Sequence, residues 1–172
     1  MQMVKRIVGG FFLTLLLLWL FAPKEELYYL LEKSLKEKNI IISNETIKDT
    51  WIGLKIENAD IYNNDIKIAH GVNLDFMFLF LFSKLDVNNI NVNEAFHIMA
   101  PKKIDNLTAT YSVINPLNVV IKGQGSFGTL NGNIALLKRN IKILFPDSKN
   151  LKTIKKFLKK DATKGWYYET NY

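Results

Sequence analysis

The chain has no cysteine among its 172 residues, so it has no disulfide framework, thiolate nucleophile or zinc ribbon. It has only two histidines, His70 and His97, too far apart for a local histidine metal motif and with no serine–carboxylate pair beside them to suggest a triad. Arginine is scarce as well, two against 21 lysines, a bias that reads as AT-rich bacterial coding. Charged residues make up 23% of the chain and apolar ones 48%, a balance that fits neither a disordered tail nor a polytopic membrane protein. The best carboxylates, Asp60 and Asp65, sit in turn-like sequence. The absences therefore argue against an enzyme and call for no cofactor or metal.

What is present begins with an apolar run. Lys5-Arg6 is followed by seventeen uncharged residues, Ile7 to Pro23, roughly 25 Å long as a helix. Trp19 and Phe21 stand near its outer end, as interfacial aromatics do. A cleaved signal peptide would place bulky Leu20 at −3 of a cut after Ala22, so an uncleaved signal anchor fits better. Residues 1–23 are expected to be a cytoplasmic tail and transmembrane anchor in a bacterial inner membrane. The remaining chain would then be periplasmic, although lysines on the far flank nearly balance the basic tail.

Residues 24–38 carry Leu27, Leu30, Leu31 and Leu35 on one helical face. Glu25 and Glu26 open the segment and Lys36 and Lys38 close it, as the helix dipole favours. This linker helix is expected to pack its leucine face on the following domain. The alternative is to lie on the bilayer.

From Ile40 the apolar period changes to two. Leu54 and Ile56, then Asp60-Ile-Tyr62, the turn Asn63-Asn64-Asp65, and Ile66, Ile68, Val72, Leu74 and Phe76 alternate with polar residues. Gly71 reads as a bulge or bend, and Leu85/Val87 run out of phase with Ile90/Val92, again bulge-like. Strands follow over Leu107–Val113, Leu117–Lys122, Ile134–Leu136 and Ile141–Phe145, with a turn at Lys138-Arg139-Asn140, and Trp166-Tyr-Tyr168 reads as a last edge strand. The expectation for 39–172 is a mostly β, periplasmic domain: a curved antiparallel sheet with a C-terminal amphipathic helix packed on it.

Two stretches stand out as candidate contact surfaces. Phe76, Phe78, Phe80 and Phe82 belong to seven continuous apolar residues. They read either as a short helix or buried strand closing the core, or as a lip touching lipid or a partner. Lys152, Lys155, Lys156, Lys159 and Lys160, with Leu151, Ile154, Phe157 and Leu158, read as the C-terminal helix. Its lysines would be either a solvated face or contacts for lipid headgroups or a partner. Gly123-Gln-Gly125-Ser-Phe-Gly128 matches the dinucleotide fingerprint in letters, but strand-like sequence follows it, so sheet curvature explains the glycines better. Behind an anchor, nucleic acid is not an expected partner.

The order of parts carries a resemblance. Pro23-x-x-x-Leu27 precedes Asn39-Ile-Ile-Ile, then Trp51-Ile-Gly-Leu54-x-Ile56-x-Asn58-Ala59, then Val72-x-Leu74 and the Phe78–Phe82 stretch. Ile121-x-Gly123-x-Gly125-Ser-Phe-Gly128-x-Leu130-x-Gly132-x-Ile134-x-Leu136 leads into Asn140-Ile-Lys-Ile-Leu-Phe-Pro146. This resembles the type II secretion system protein N family, distantly related to AsmA-like envelope proteins. The resemblance implies an inner-membrane protein with a twisted periplasmic sheet. Two functions follow as expectations. One is a non-enzymatic scaffold in a secretion, pilus or flagellar-motor assembly, with protein partners and the bilayer held through residues 7–23. The other is handling of phospholipid or lipopolysaccharide along an apolar groove.

Overall fold

The computed structural model describes residues 2–21, 23–79, 81–147, 151, 153–161 and 165–172. Two helices, α1 (Gln2–Leu20) and α2 (Lys24–Lys36), precede eleven strands. The strands are β1 (Ile40–Ser43), β2 (Thr46–Thr50), β3 (Gly53–Asn63), β4 (Ile66–Leu79), β5 (Phe82–Val92), β6 (Lys103–Ser112), β7 (Asn118–Gly125), β8 (Gly128–Ala135), β9 (Asn140–Phe145), β10 (Lys159–Asp161) and β11 (Gly165–Asn171). They form one antiparallel sheet in which β3 to β9 are sequential neighbours, as the alternating pattern and polar turns predict.

Local chemistry explains the turns. Asn64 and Asp65, at φ 47° and 64°, form the two-residue β3–β4 turn, where both positions need a left-handed backbone. The Gly-rich 123–128 segment is the β7–β8 hairpin, with Gly125 opposite Gly128 and no helix after it. β1 and β2 pair with β3 in one continuous register, interrupted at Asn44 (φ 64°), so they form a single broken edge strand.

The bulge-like breaks in phase line up across the sheet. Buried or inward residues switch parity from Leu54 and Ile56 to Ala59 on β3, and from Leu74 and Val72 to Ala69 on β4. On β5 they switch from Val87 to Ile90. Asn58, Gly71 and Asn89 hold φ of 59°, 65° and 59° at these breaks, so each strand bends where its neighbour bends.

Pairing then separates two faces. One lateral row reads Leu54, Phe76, Leu85, Ala109, Ile121, Gly132, Ile143, Tyr168. The adjacent row, on the opposite face, reads Lys55, Asp75, Asp86, Thr108, Lys122, Asn131, Leu144, Tyr167. The apolar face is buried at both ends of the sheet. Tyr28 of α2 joins Leu54, Ile56, Ala59, Ala69, Val72 and Val87 in one cluster. Leu151 covers Phe127, Leu130 and Phe145 in the other. Between them Ala109, Ile121, Gly132 and Ile143 are only half-buried.

Four expectations are corrected. No helix among the described residues is long and apolar enough to cross a membrane. The seventeen-residue run is not one helical span: α1 includes Gln2, Lys5 and Arg6 and stops at Leu20. Its uncharged part, Ile7 to Leu20, is fourteen residues or about 21 Å, against roughly 30 Å of hydrocarbon.

The C-terminal amphipathic helix is also absent among the described residues: a 3-10 turn at Lys155–Phe157 leads into β10. A continuous helix would set Lys152/Lys156, Lys155/Lys159 and Lys156/Lys160 four apart, like charges that oppose it. Leu151, Ile154 and Leu158 find burial against the sheet end instead. Strand β11 is correspondingly not the edge, because β10 lies outside it.

Finally, α2 does not bury its leucine face: Leu35 is half-buried and Leu27 and Leu31 only border the sheet. Its buried residues are Lys24 and Tyr28, while Leu27, Leu30 and Leu31 are exposed.

Candidate functional site

The α2–sheet contact is held by polar groups at the helix's sheet-facing side. Lys24, only 8% exposed, places Nζ 3.3 Å from Asp49 Oδ1 on β2. One turn later Tyr28 Oη donates to Glu45 Oε1 at 3.1 Å. Burial, with the Glu45 carboxylate alongside, raises the Tyr28 hydroxyl above its ordinary pKa. Neither pair was legible in the sequence: Lys24 and Tyr28 share a helical side with Leu31 and Leu35, but their partners Asp49 and Glu45 lie 25 and 17 residues away.

The described phenylalanines of the apolar run, Phe76, Phe78 and Phe82, do not make one patch. Phe76 and Phe78 alternate onto the inner face, ring centroids 4.0 Å apart, and line an apolar cleft of about 190 Å³ with Leu27, Leu31 and Tyr28. Phe82 pairs with Leu79 on the opposite side of the β4–β5 hairpin. Phe80 lies outside the described residues. The run is thus neither helix nor buried strand but two strand ends around a tight turn. Its inner half closes the cleft and its tip, at Leu79 and Leu81, is exposed.

The lysine group disperses in the same way. Lys152 lies outside the described residues. Lys155 sits over the Trp166 ring at 4.8 Å and Lys156 over Phe157 at 4.9 Å. Lys159 and Lys160 are successive residues of β10, opposite Tyr167 and Trp166, and so lie on opposite faces. All four are exposed, but they share no helical face.

Elsewhere the ionisable groups act in structural pairs. The hydrogen bond from Lys67 (2.8 Å), aided by one from Asn44 (2.8 Å), holds the Asp60 carboxyl below the usual range. Burial pushes Asp86 up. The Lys84 ammonium (2.7 Å) and the Thr108 hydroxyl (2.6 Å) outweigh it, so its pKa is also lowered. These pairs join β3 to β4 and to the break at Asn44, and β5 to β6. His97 Nε2 lies 2.9 Å from the Val92 carbonyl oxygen and caps a local turn.

The largest uncompensated feature is α1. Apart from half-buried Leu15 and Leu20, every residue of α1 whose side chain is described is exposed, including Phe11, Phe12, Leu16, Leu17 and Leu18. A helix apolar on all sides is stable only when an apolar medium surrounds it. α1 hangs from α2 by Phe21 to Pro23, so its end lies within about 14 Å of Lys24, the residue tied to β2. The site these elements build is a surface for apolar contact, consisting of α1, the exposed leucines of α2 and the half-covered inner face of the sheet. Comparison of the chain with protein-family models, curated proteins and solved structures finds no match.

Proposed function

We propose that the protein is a membrane-associated, non-enzymatic docking component of a bacterial envelope assembly of secretion, pilus or flagellar-motor type, held at the surface of the inner membrane. The observation that carries this reading is α1, whose large apolar side chains are exposed on every side. α1 inserts into the acyl layer without crossing it, and Lys5 and Arg6 meet anionic headgroups. The mechanism is positional: the membrane fixes one end of the molecule and holds the sheet where the outer side of β10 can accept a strand from a partner.

One observation favours a second reading, lipid handling. The cleft under α2 is lined by Leu27, Leu31, Phe76 and Phe78 and leads onto the half-covered apolar face. An acyl chain laid there would shield those rows.

Cross-linking in intact cells, followed by purification and native mass spectrometry, separates the readings. Docking expects cross-links to defined envelope proteins and a bare protein mass. Lipid handling expects an added phospholipid or lipopolysaccharide mass that Phe78→Asp abolishes. Absence of both cross-links and lipid would overturn the proposal.

A further inference from the structure

The meander alternates its connections between two ends of the sheet, and the two ends differ in chemistry. At one end are the β2–β3 tip (Trp51-Ile52), the β4–β5 tip and the β6–β7 loop (residues 113–117). Trp51 is 83% exposed, Leu81 64% and Ile114 95%. At the other end are the Asn64-Asp65 turn, the 93–102 connection with Glu94 and Lys102, and the Ser126-Phe127 turn, which tucks its phenylalanine inward at 3% exposure.

The tips at the first end are joined into one surface. Ile52 O accepts from Phe78 N at 2.6 Å, and Leu81 O accepts from Val113 N at 3.0 Å. Neighbouring tips are therefore held side by side, which places their exposed apolar residues along one end of the sheet. The described residues of these three connections include no acid, and the next loop along adds Lys138 and Arg139, again without one. Strand order places the β2–β3 and β6–β7 tips on either side of the β4–β5 hairpin.

We infer that this strip is a second membrane contact, seated in the headgroup and upper acyl region of an anionic bilayer. The sheet then stands with its strands end-on to the surface. Three features select lipid. The strip is apolar and aromatic at its crest, with Trp51 of the type that prefers the interface. Its three connections carry no acid among the described residues, the nearest acid, Asp49, is paired with Lys24, and the next loop adds Lys138 and Arg139, which complements anionic headgroups. The C-terminal end of α1 is tethered to the same region, because Lys24, four residues after α1, is bound to Asp49, two residues before Trp51. The inference rests on the membrane reading of α1 and adds the orientation that α1 alone leaves free.

The absence of cysteine makes the test direct. Single variants of the full chain, Trp51→Cys, Leu81→Cys and Ile114→Cys, are labelled with an environment-sensitive fluorophore. Ile98→Cys, 77% exposed at the opposite end, and Leu13→Cys in α1 serve as references. Vesicles of phosphatidylethanolamine and phosphatidylglycerol carry a nitroxide on the acyl chain. The expected result is blue-shifted, quenched emission at positions 51, 81 and 114, and none at position 98. Ile114→Asp, a change at a solvated loop, is expected to weaken vesicle partitioning about tenfold. Water-like emission at the three tips, with Leu13→Cys quenched, overturns this inference and leaves the α1 reading standing. Water-like emission at all positions overturns both. A blue shift that needs no vesicles and grows with protein concentration assigns the strip to a second copy and overturns the lipid assignment.

Discussion

Asp60 shows how single residues set the stability of this sheet. Its carboxylate accepts from Lys67 of β4 and from Asn44 at the break in the edge strand, which holds its pKa below the ordinary 3.8. A carboxylate depressed on folding contributes stability that is present above the unfolded pKa and is lost as pH falls through the folded one. Asp86, lowered by Lys84 and Thr108 against its own burial, adds in the same direction. Urea midpoints measured on descending pH are therefore expected to fall below about pH 4. Asp60→Asn should start less stable near neutral pH and lose less on acidification. An equal acid slope in the two proteins would remove Asp60 from the account. Such pairs are not legible in sequence, because Asp60 reads there as a turn residue while its partners come from strands on both sides.

At the scale of elements, α2 gives the sharpest test. Its leucine spacing predicts the packed face, yet the sheet takes the flank of that face that carries Lys24 and Tyr28 and leaves Leu30 out, because Asp49 and Glu45 wait on the adjoining edge strand. Tertiary partners more than fifteen residues away decided which face is inside, and periodicity carries no record of them. Leu30→Lys is expected to change the unfolding free energy by no more than about 0.5 kcal/mol, as exposed sites do. Tyr28→Ala should cost about 3 kcal/mol through lost aromatic burial and an orphaned Glu45 contact. Chemical denaturation of the two variants checks the order, and a larger loss for Leu30→Lys would restore the leucine face.

Other elements were more legible. The strand pattern, the Asn64-Asp65 turn and the parity shifts at Gly71 and Asn89 all have local causes, namely side-chain alternation and residues that tolerate positive φ. The lysine-rich C-terminal stretch was misread because its apolar residues fit a helix by spacing. Their burial comes from Phe127, Leu130 and Phe145, which the sheet brings together.

The whole molecule is a one-sided sheet with a burden of uncovered apolar surface. Its polar face carries most of the ion pairs, its apolar face is sealed at both ends, and α1 stands outside either cluster. The apolar character of residues 7–20 was plain in the sequence; their inability to span a bilayer depended on where the helix begins and ends. The central claim is that α1 takes its cover from lipid. Flotation of the full chain with phosphatidylethanolamine–phosphatidylglycerol vesicles tests it against Leu13→Lys/Leu17→Lys, a pair of changes in exposed α1 side chains that leaves the sheet untouched. The wild-type chain is expected to rise with the vesicles, and the double variant to stay in the dense fraction with an unchanged β-sheet circular dichroism spectrum. Equal flotation of the two proteins, or none for the wild type, would contradict the claim.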